Sequence, residues 1–142
     1  MGKMSQEQVI AFAKEFAEKL WGVDSELTDD VMVSTSEITV FLDDPENWIH
    51  YDEPLEEIIP RVAEDEEIEA VLFCEGDLWE MIYYCEAYGS SDETTNAVYK
   101  AFVKTVAKHG MWYAWGSGTV FLYKAVYKGG AQYEMDDFVR TL

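Results

Sequence analysis

Residues 43–86 combine a very high density of acidic side chains with enough apolar side chains to fold. The stretch contains sixteen acidic residues and a single basic one, Arg61. A disordered acidic tail lacks large apolar residues, whereas this stretch carries them throughout: Trp48, Ile49, Leu55, Ile58, Ile59, Val62, Ile68, Val71, Leu72, Phe73, Leu78, Trp79, Met81 and Ile82. We therefore expect a folded segment that displays its carboxylates with fixed geometry.

The charge of the chain is uneven as well as large. The formal net charge is −19, to which residues 1–42 contribute −5, residues 43–86 −15 and residues 87–142 +1. Binding to nucleic-acid phosphates or to anionic lipids requires Lys and Arg, so we expect no direct nucleic-acid partner and no membrane partner. The charge instead favours a basic protein partner, or it serves solubility alone.

Length and composition predict a single domain over residues 1–142 with a core of its own. Of the 142 residues, 49% are hydrophobic and 15% aromatic, which suffices for a core at this chain length. Cys74 and Cys85 lie in apolar runs and are interpreted as reduced core residues. Since neither a signal peptide nor an apolar run of transmembrane length is visible, a cytoplasmic location is expected.

The first 42 residues predict a helix followed by strands. Ser5 and Gln8 have the spacing of a capping box, and an apolar stripe of about four turns follows, which ends at Gly22. Residues 31–42 are rich in β-branched side chains and fit either one long strand or a hairpin that turns at 34–36, of which the hairpin is favoured.

The acidic stretch itself begins with turn signals. Residues 43–47 predict a turn, and residues 48–51 predict a loop or an edge strand. Asp52 has the position of a helix cap with Pro54 in the first turn, and Pro60 should kink or break that helix.

Periodicity does not decide between helix and strand for residues 66–75. Two short buried helices over 70–74 and 78–88 fit the pattern, and so does a hairpin that turns at 75–77. Asp77 as a cap favours a helix at least over 78–88.

The last third predicts a helix and then antiparallel sheet. Ser90 and Glu93 have capping-box spacing ahead of a helix that ends at Gly110. Strands over 111–115 and 119–127 flank a glycine turn, and 131–135 is a third candidate strand. The predicted fold class is α+β, with helices packed on a twisted antiparallel sheet and a C-terminal hairpin or meander.

Motifs for catalysis and for metals are missing from the sequence. His50 and His109 have no second ligand at metal-binding spacing, and neither a phosphate-binding loop nor a dinucleotide fingerprint occurs. Gly116-Ser117-Gly118 is better explained as a hairpin turn than as a nucleophile turn. We expect no enzyme activity, no cofactor and no dedicated metal site.

The acidic side chains are therefore the candidate partner-binding residues. Carboxylates one helical turn apart, such as Glu53 and Glu57, are separated by ~6 Å along the axis, on the scale of phosphate steps in DNA. Small anti-restriction and anti-CRISPR proteins of phages mimic nucleic acid in this way as a class, and the analogy is one of charge and size. The candidates are Asp43, Asp44, Glu46, Glu53, Glu56, Glu57, Glu64, Asp65, Glu66, Glu67 and Glu69.

Two other functional hypotheses share this composition. The chain fits an immunity or antitoxin-like bacterial protein that neutralises a basic toxin, or a housekeeping or mobile-element domain whose charge confers solubility only. An aromatic group near the C-terminus offers either binding anchors, a homodimer surface or a sheet buried on both faces. It comprises Trp112, Tyr113, Trp115, Phe121, Tyr123, Tyr127 and Tyr133.

Overall fold

Residues 4–50 and 68–124 are described by a computed structural model of the chain. The helices are α1 (Gln6–Trp21), α2 (Asp77–Tyr88) and α3 (Glu93–Lys108), with a 3-10 helix at Ser25–Thr28. The strands are β1 (Met32–Ser34), β2 (Ile38–Phe41), β3 (Trp48–His50), β4 (Ile68–Phe73), β5 (Met111–Trp115) and β6 (Thr119–Lys124). They form one antiparallel sheet in the order β3-β2-β1-β4-β6-β5. The predicted α+β class, with helices on an antiparallel sheet and a C-terminal hairpin, is confirmed.

The capping box predicted at the start of α1 is present. The Ser5 hydroxyl accepts a hydrogen bond from the Gln8 amide at 3.2 Å, and the Gln8 side chain accepts one from the Ser5 amide at 2.8 Å. These reciprocal bonds satisfy two backbone donors that an α-helix leaves without partners. Beyond this start, α1 buries one face: Val9, Phe12, Ala13, Phe16, Ala17 and Leu20.

The main core lies between the helices and one face of the sheet. The Phe16 ring packs against Phe12 and Phe102 at centroid distances of 5.9 and 5.8 Å, which joins α1 to α3. Because side chains alternate along a strand, the sheet contributes every second residue to this core. Its main contributors are Val33, Val40, Leu72, Val120 and Leu122, all fully buried.

Strand β4 decides the question that periodicity left open for residues 66–75. Residues 68–73 form neither a helix nor part of a hairpin turning at 75–77, because β4 pairs with β1 and β6 in the middle of the sheet. Its residues are buried on both faces, Leu72 towards the helices and Val71 on the other face. A strand buried on both faces lacks alternation, which explains why the pattern was ambiguous.

The face of the sheet that points away from the helices is also buried around its centre. Phe121 is 4% exposed and packs with Ile68 and Val71, while Tyr123 is partly buried against them. A fully buried hydrogen bond of 2.9 Å joins the Ser34 and Thr39 hydroxyls on the same face. Of the aromatic group in the sequence, Tyr127 and Tyr133 lie outside the described residues.

Two predicted helix caps were wrong by one or two residues. Gly76 (φ 113°), and not Asp77, precedes α2, and no side chain caps that helix. Asp92, and not Ser90, caps α3 by accepting a 2.9 Å bond from the Thr95 amide. Both carboxylate and hydroxyl can serve as caps, so composition alone did not choose between neighbouring candidates.

Other predictions for this part of the chain agree with the structure. The hairpin of β1 and β2 forms, with its turn at 35–37 and not at 34–36. The turn after β2, the edge strand β3 and the glycine turn between β5 and β6 also form. The helix predicted from Asp52, the continuation of the last hairpin over 125–127 and the strand over 131–135 fall outside the described residues.

Candidate binding surface at the acidic end of the sheet

Antiparallel pairing collects acidic residues from three separate stretches at one end of the sheet. Met32 pairs with both Phe41 and Phe73, so the residues before β1 lie beside those after β2 and after β4. The amide of Leu42 donates to the carbonyl of Val31 at 2.9 Å, which continues this alignment. We call the nine carboxylates gathered there the acidic end: Asp24, Glu26, Asp29, Asp30, Asp43, Asp44, Glu46, Glu75 and Asp77.

A cleft of about 290 Å³ lies within the acidic end, between the 3-10 helix and the start of α2. Its rim carries five carboxylates, and its floor is apolar, with Leu27, Val31 and Leu78. Such a cleft suits a Lys or Arg side chain, whose aliphatic stem can lie on apolar atoms while the cation meets carboxylates. The five acidic residues are Asp24, Glu26, Asp29, Glu75 and Asp77.

A second groove of about 180 Å³ lies between α1 and the turn after β2. Asp43, Asp44 and Glu46 line it together with Trp21 and Lys14. Lys14 and Glu46 form an exposed ion pair at 3.5 Å, while Trp21 donates from its indole nitrogen to the Thr28 hydroxyl at 2.9 Å. The Trp21 bond ties the wall of this groove to the 3-10 helix beside the acidic cleft.

The backbone holds the acidic residues in place through local turns. The Asp24 side chain caps the 3-10 helix by accepting from the Glu26 amide at 3.0 Å. Asp30 has a positive φ of 59°, a conformation that Asp tolerates better than most residues. Gly118 lies so close to Glu75 that a Cβ there would be 2.9 Å from the Glu75 Cβ. The glycine turn therefore allows Glu75 to pack against the last hairpin.

The sequence-derived candidates are only partly brought together in the structure. Asp43, Asp44 and Glu46 are exposed at the acidic end. Glu69 lies within β4 at 8% exposure and is not part of that surface. The other seven lie outside the described residues: Glu53, Glu56, Glu57, Glu64, Asp65, Glu66 and Glu67.

None of the five carboxylates of the acidic cleft is among the sequence-derived candidates. Asp24, Glu26 and Asp29 precede the dense acidic run, and the sequence predicts only turn or cap roles for Glu75 and Asp77. A usable signal was present, since Asp29 and Asp30 directly precede the predicted strand region 31–42, Asp43 and Asp44 directly follow it, and Glu75 follows the apolar run 70–74. Finding it required the strand order, because only pairing shows which strand ends are neighbours.

Two of the six lysines in the described part, Lys108 and Lys124, lie towards the opposite end of the sheet. Lys124 ends β6 opposite Met111, the first residue of β5, and Lys108 precedes Met111 by three residues. Residues 4–50 and 68–124 contain eighteen acidic residues and six lysines, a formal charge of −12. The described part is therefore strongly acidic, and Lys108 and Lys124 are separated from the acidic end by the length of the sheet.

A strip of aromatic side chains runs along α2 from the acidic cleft. Trp79 and Tyr83 stack at 4.6 Å and 9°, and Tyr84 and Tyr88 stack at 5.9 Å and 22°. Tyr84 is 50% exposed and Tyr88 80% exposed. We call Trp79, Tyr83, Tyr84 and Tyr88 the aromatic strip; exposed rings of this kind are common binding anchors.

The inner edge of the aromatic strip is held by Glu86. Its carboxylate accepts hydrogen bonds from the Tyr113 hydroxyl and from the Trp115 indole nitrogen. The Trp115 ring meets the Tyr83 ring edge-on at 5.3 Å. Burial, reinforced by the bond to Glu86, raises the pKa of Tyr113 well above its usual value, so the hydroxyl stays protonated and donates.

A separate polar network ties α1 to the end of α3. Glu15 contacts Lys108, Lys19 (3.8 Å) and His109 (3.2 Å), and Lys19 donates to the Thr105 hydroxyl at 3.0 Å. Burial alone would raise the pKa of Glu15, but the hydrogen bond from Lys108 and the neighbouring cations hold that pKa below its ordinary value. This network is structural, since its cations are already paired with Glu15.

The histidine, cysteine and acidic side chains of the described part also bear on metal binding and on thiol chemistry. Within residues 4–50 and 68–124, no three His, Cys, Asp or Glu side chains are grouped so as to hold a metal ion. The carboxylates of the acidic cleft are thus spread around a rim, which suits several cationic groups of a partner. Cys74 and Cys85 are buried free thiols, and burial raises the pKa of Cys74 to about 12, so this thiol does not ionise readily to a reactive thiolate.

None of the helices in residues 4–50 and 68–124 is long and apolar enough to span a bilayer.

Comparisons with known proteins add no functional assignment. The chain matches no protein-family model, and no significant match was found among curated proteins or solved structures.

Proposed function

We propose that this protein is a non-enzymatic binding protein whose acidic end engages the basic surface of a protein partner. The proposed partner is a nuclease or another nucleic-acid-binding protein, which the chain inhibits by placing carboxylates where phosphates would bind. The observation that supports this proposal is the gathering of nine carboxylates from three separate stretches at one end of a folded sheet.

The electrostatics of the acidic end favour a macromolecular partner with several cations. Among the described residues, the lysine at this end is Lys14, and it pairs with Glu46. Repulsion among unneutralised carboxylates raises the energy of the unbound surface, and a basic partner relieves that repulsion. The opposite charges also accelerate association of the two proteins. A basic toxin would be recognised by the same surface.

The proposal includes a cytoplasmic location, which agrees with the two free thiols.

The test uses charge reversal in the acidic cleft with fluorescein-labelled nona-arginine as a surrogate basic ligand. Asp29→Lys and Glu75→Lys together change the net charge from −19 to −15 at two exposed rim positions. The matched control, Glu7→Lys with Glu37→Lys, makes the same change at two exposed positions away from the acidic end. Surface ion pairs contribute about 0.2–1 kcal/mol each. We therefore expect the cleft variant to bind roughly tenfold more weakly than the control by fluorescence anisotropy.

Equal affinities for the two variants would mean that only net charge matters, and the proposed function would be rejected. Circular dichroism of both variants checks that each remains folded. Competition then identifies the partner class: displacement of duplex DNA from restriction or CRISPR nucleases is expected, whereas selective binding of basic toxins would favour the immunity-type partner instead.

A further inference from the structure

We infer that the aromatic strip on α2 is a docking site for arginine side chains in an extended segment of the basic partner. The inference rests on the proposed function and adds the chemistry of the segment that binds. It is carried by the exposure of two tyrosine rings, by the acidic residues among them and by the position of the strip beside the acidic cleft.

The exposed rings are unusual for side chains of this size. Tyr88 is 80% exposed and Tyr84 50% exposed, whereas Tyr99 and Tyr113, also in the helix–sheet layer, are nearly buried. Tyr84 and Tyr88 stack on each other at 5.9 Å and 22°, which orders the pair and leaves outer ring faces accessible. Preordered rings lose little conformational entropy when a partner binds.

The charge around the rings selects a cation. Helix α2 carries Asp77, Glu80 and Glu86 and no basic residue. Glu80 lies three residues before Tyr83 and four before Tyr84, so it shares their face of the helix. Aromatic faces attract cations through the ring quadrupole. A neighbouring carboxylate is negatively charged and attracts cations as well.

Arginine fits this arrangement better than lysine. A guanidinium is planar, so it can stack on a tyrosine ring while its edge donates two hydrogen bonds to a carboxylate such as that of Glu80. A lysine ammonium offers a point charge without the stacking surface. A second copy of this chain is a poor occupant, because two molecules of charge −19 repel each other.

The strip and the acidic cleft are continuous along α2. Asp77 and Leu78 line the cleft, and Trp79 begins the strip directly after them. The ten residues from Trp79 to Tyr88 extend ~14 Å along the helix. An extended basic segment of about four residues spans that length, so one segment can reach the tyrosines while a neighbouring cation occupies the cleft.

The experiment compares nona-arginine with nona-lysine, which carry equal charge. The wild-type protein is expected to bind both peptides and to prefer nona-arginine. In the Tyr84→Ala/Tyr88→Ala variant, nona-arginine affinity should fall roughly two- to fivefold per ring removed, while nona-lysine affinity changes much less. Tyr84→Phe/Tyr88→Phe keeps both rings and should retain the preference. Ile49→Ala, which shortens a 49% exposed side chain on β3, serves as an unrelated surface control.

The outcomes separate this inference from the proposed function. If both peptides bind but the alanine variant keeps the wild-type preference for arginine, the strip is not the docking site, while the acidic end remains supported. If neither peptide binds the wild-type protein, both proposals are overturned. Self-association in sedimentation velocity that the alanine variant abolishes would assign the strip to a second copy and would also overturn the inference.

Discussion

Removing the Glu86 carboxylate should destabilise the folded protein, although this residue is exposed. Glu86 is exposed, but it accepts from the hydroxyl of Tyr113, which is only 8% exposed. Glu86→Ala leaves that hydroxyl without its charged acceptor, at a cost of about 1.5–3 kcal/mol. The bond from Trp115 adds little, since its indole nitrogen can be hydrated. Tyr99 lies against Tyr113 and can recover part of the loss, so we expect about 2 kcal/mol.

The measurement is urea unfolding followed by far-UV circular dichroism, because Trp fluorescence would itself respond to changes around Trp115. A loss of this size corresponds to a fall in Tm of roughly 4–8 °C for a chain of this length. Glu80→Ala makes the same chemical change six residues earlier on α2 and should alter stability by less than about 0.5 kcal/mol.

A double-mutant cycle decides whether the Glu86 effect arises from its bond to Tyr113. In a Tyr113→Phe background the donor is gone, so Glu86→Ala should cost much less than in the wild-type protein. We expect a coupling of about 1 kcal/mol. Additive effects of the two substitutions would refute this explanation of how α2 is fixed to the sheet.

Two further predictions concern the helices that support the surface. The pKa of Glu15 is lower in the folded protein than its unfolded value of 4.5. Its ion pairs therefore stabilise the fold fully above that pH, and this contribution is lost as the pH falls through the lower folded value. Glu15→Gln should reduce stability at pH 6 and flatten the decline of stability below about pH 4.5 in urea titrations, and a profile identical to that of the wild type would contradict the role of these ion pairs. Asp92→Ala should cost about 1 kcal/mol by removing the cap of α3, and a result indistinguishable from the wild type would show that the cap is replaced by another group.

Much of the architecture was predictable because local chemistry and tertiary packing agree. The capping box at Ser5 is satisfied by neighbours within one turn, so its geometry needs no distant partner. The hairpin of β1 and β2 and that of β5 and β6 also join neighbouring segments. In these places the hydrophobic period and the turn residues specify the same structure.

Secondary structure and surface location were harder to predict where a segment is surrounded by residues that are distant in the sequence. Strand β4 is buried on both faces by residues far away in the sequence, so its composition shows no period. The candidate surface was only partly predicted for the same reason, because the dense run of acids in the sequence points to residues 43–69. Three of those candidates reach the acidic end, and five carboxylates of the cleft come from elsewhere in the chain. Proximity in an antiparallel sheet follows strand order, which composition does not reveal.

We expect the position of the carboxylates, and not their number, to determine binding to basic partners. In an ionic-strength series, nona-arginine affinity is measured from 50 to 300 mM NaCl for the wild type, the Asp29→Lys/Glu75→Lys variant and the Glu7→Lys/Glu37→Lys control. Because salt screens the interaction of exposed charges, affinity of the wild type and the control should fall steeply with salt. The cleft variant should bind weakly at low salt and show a shallower dependence. Superimposable curves for the two variants would show that binding depends on net charge and not on where the carboxylates lie.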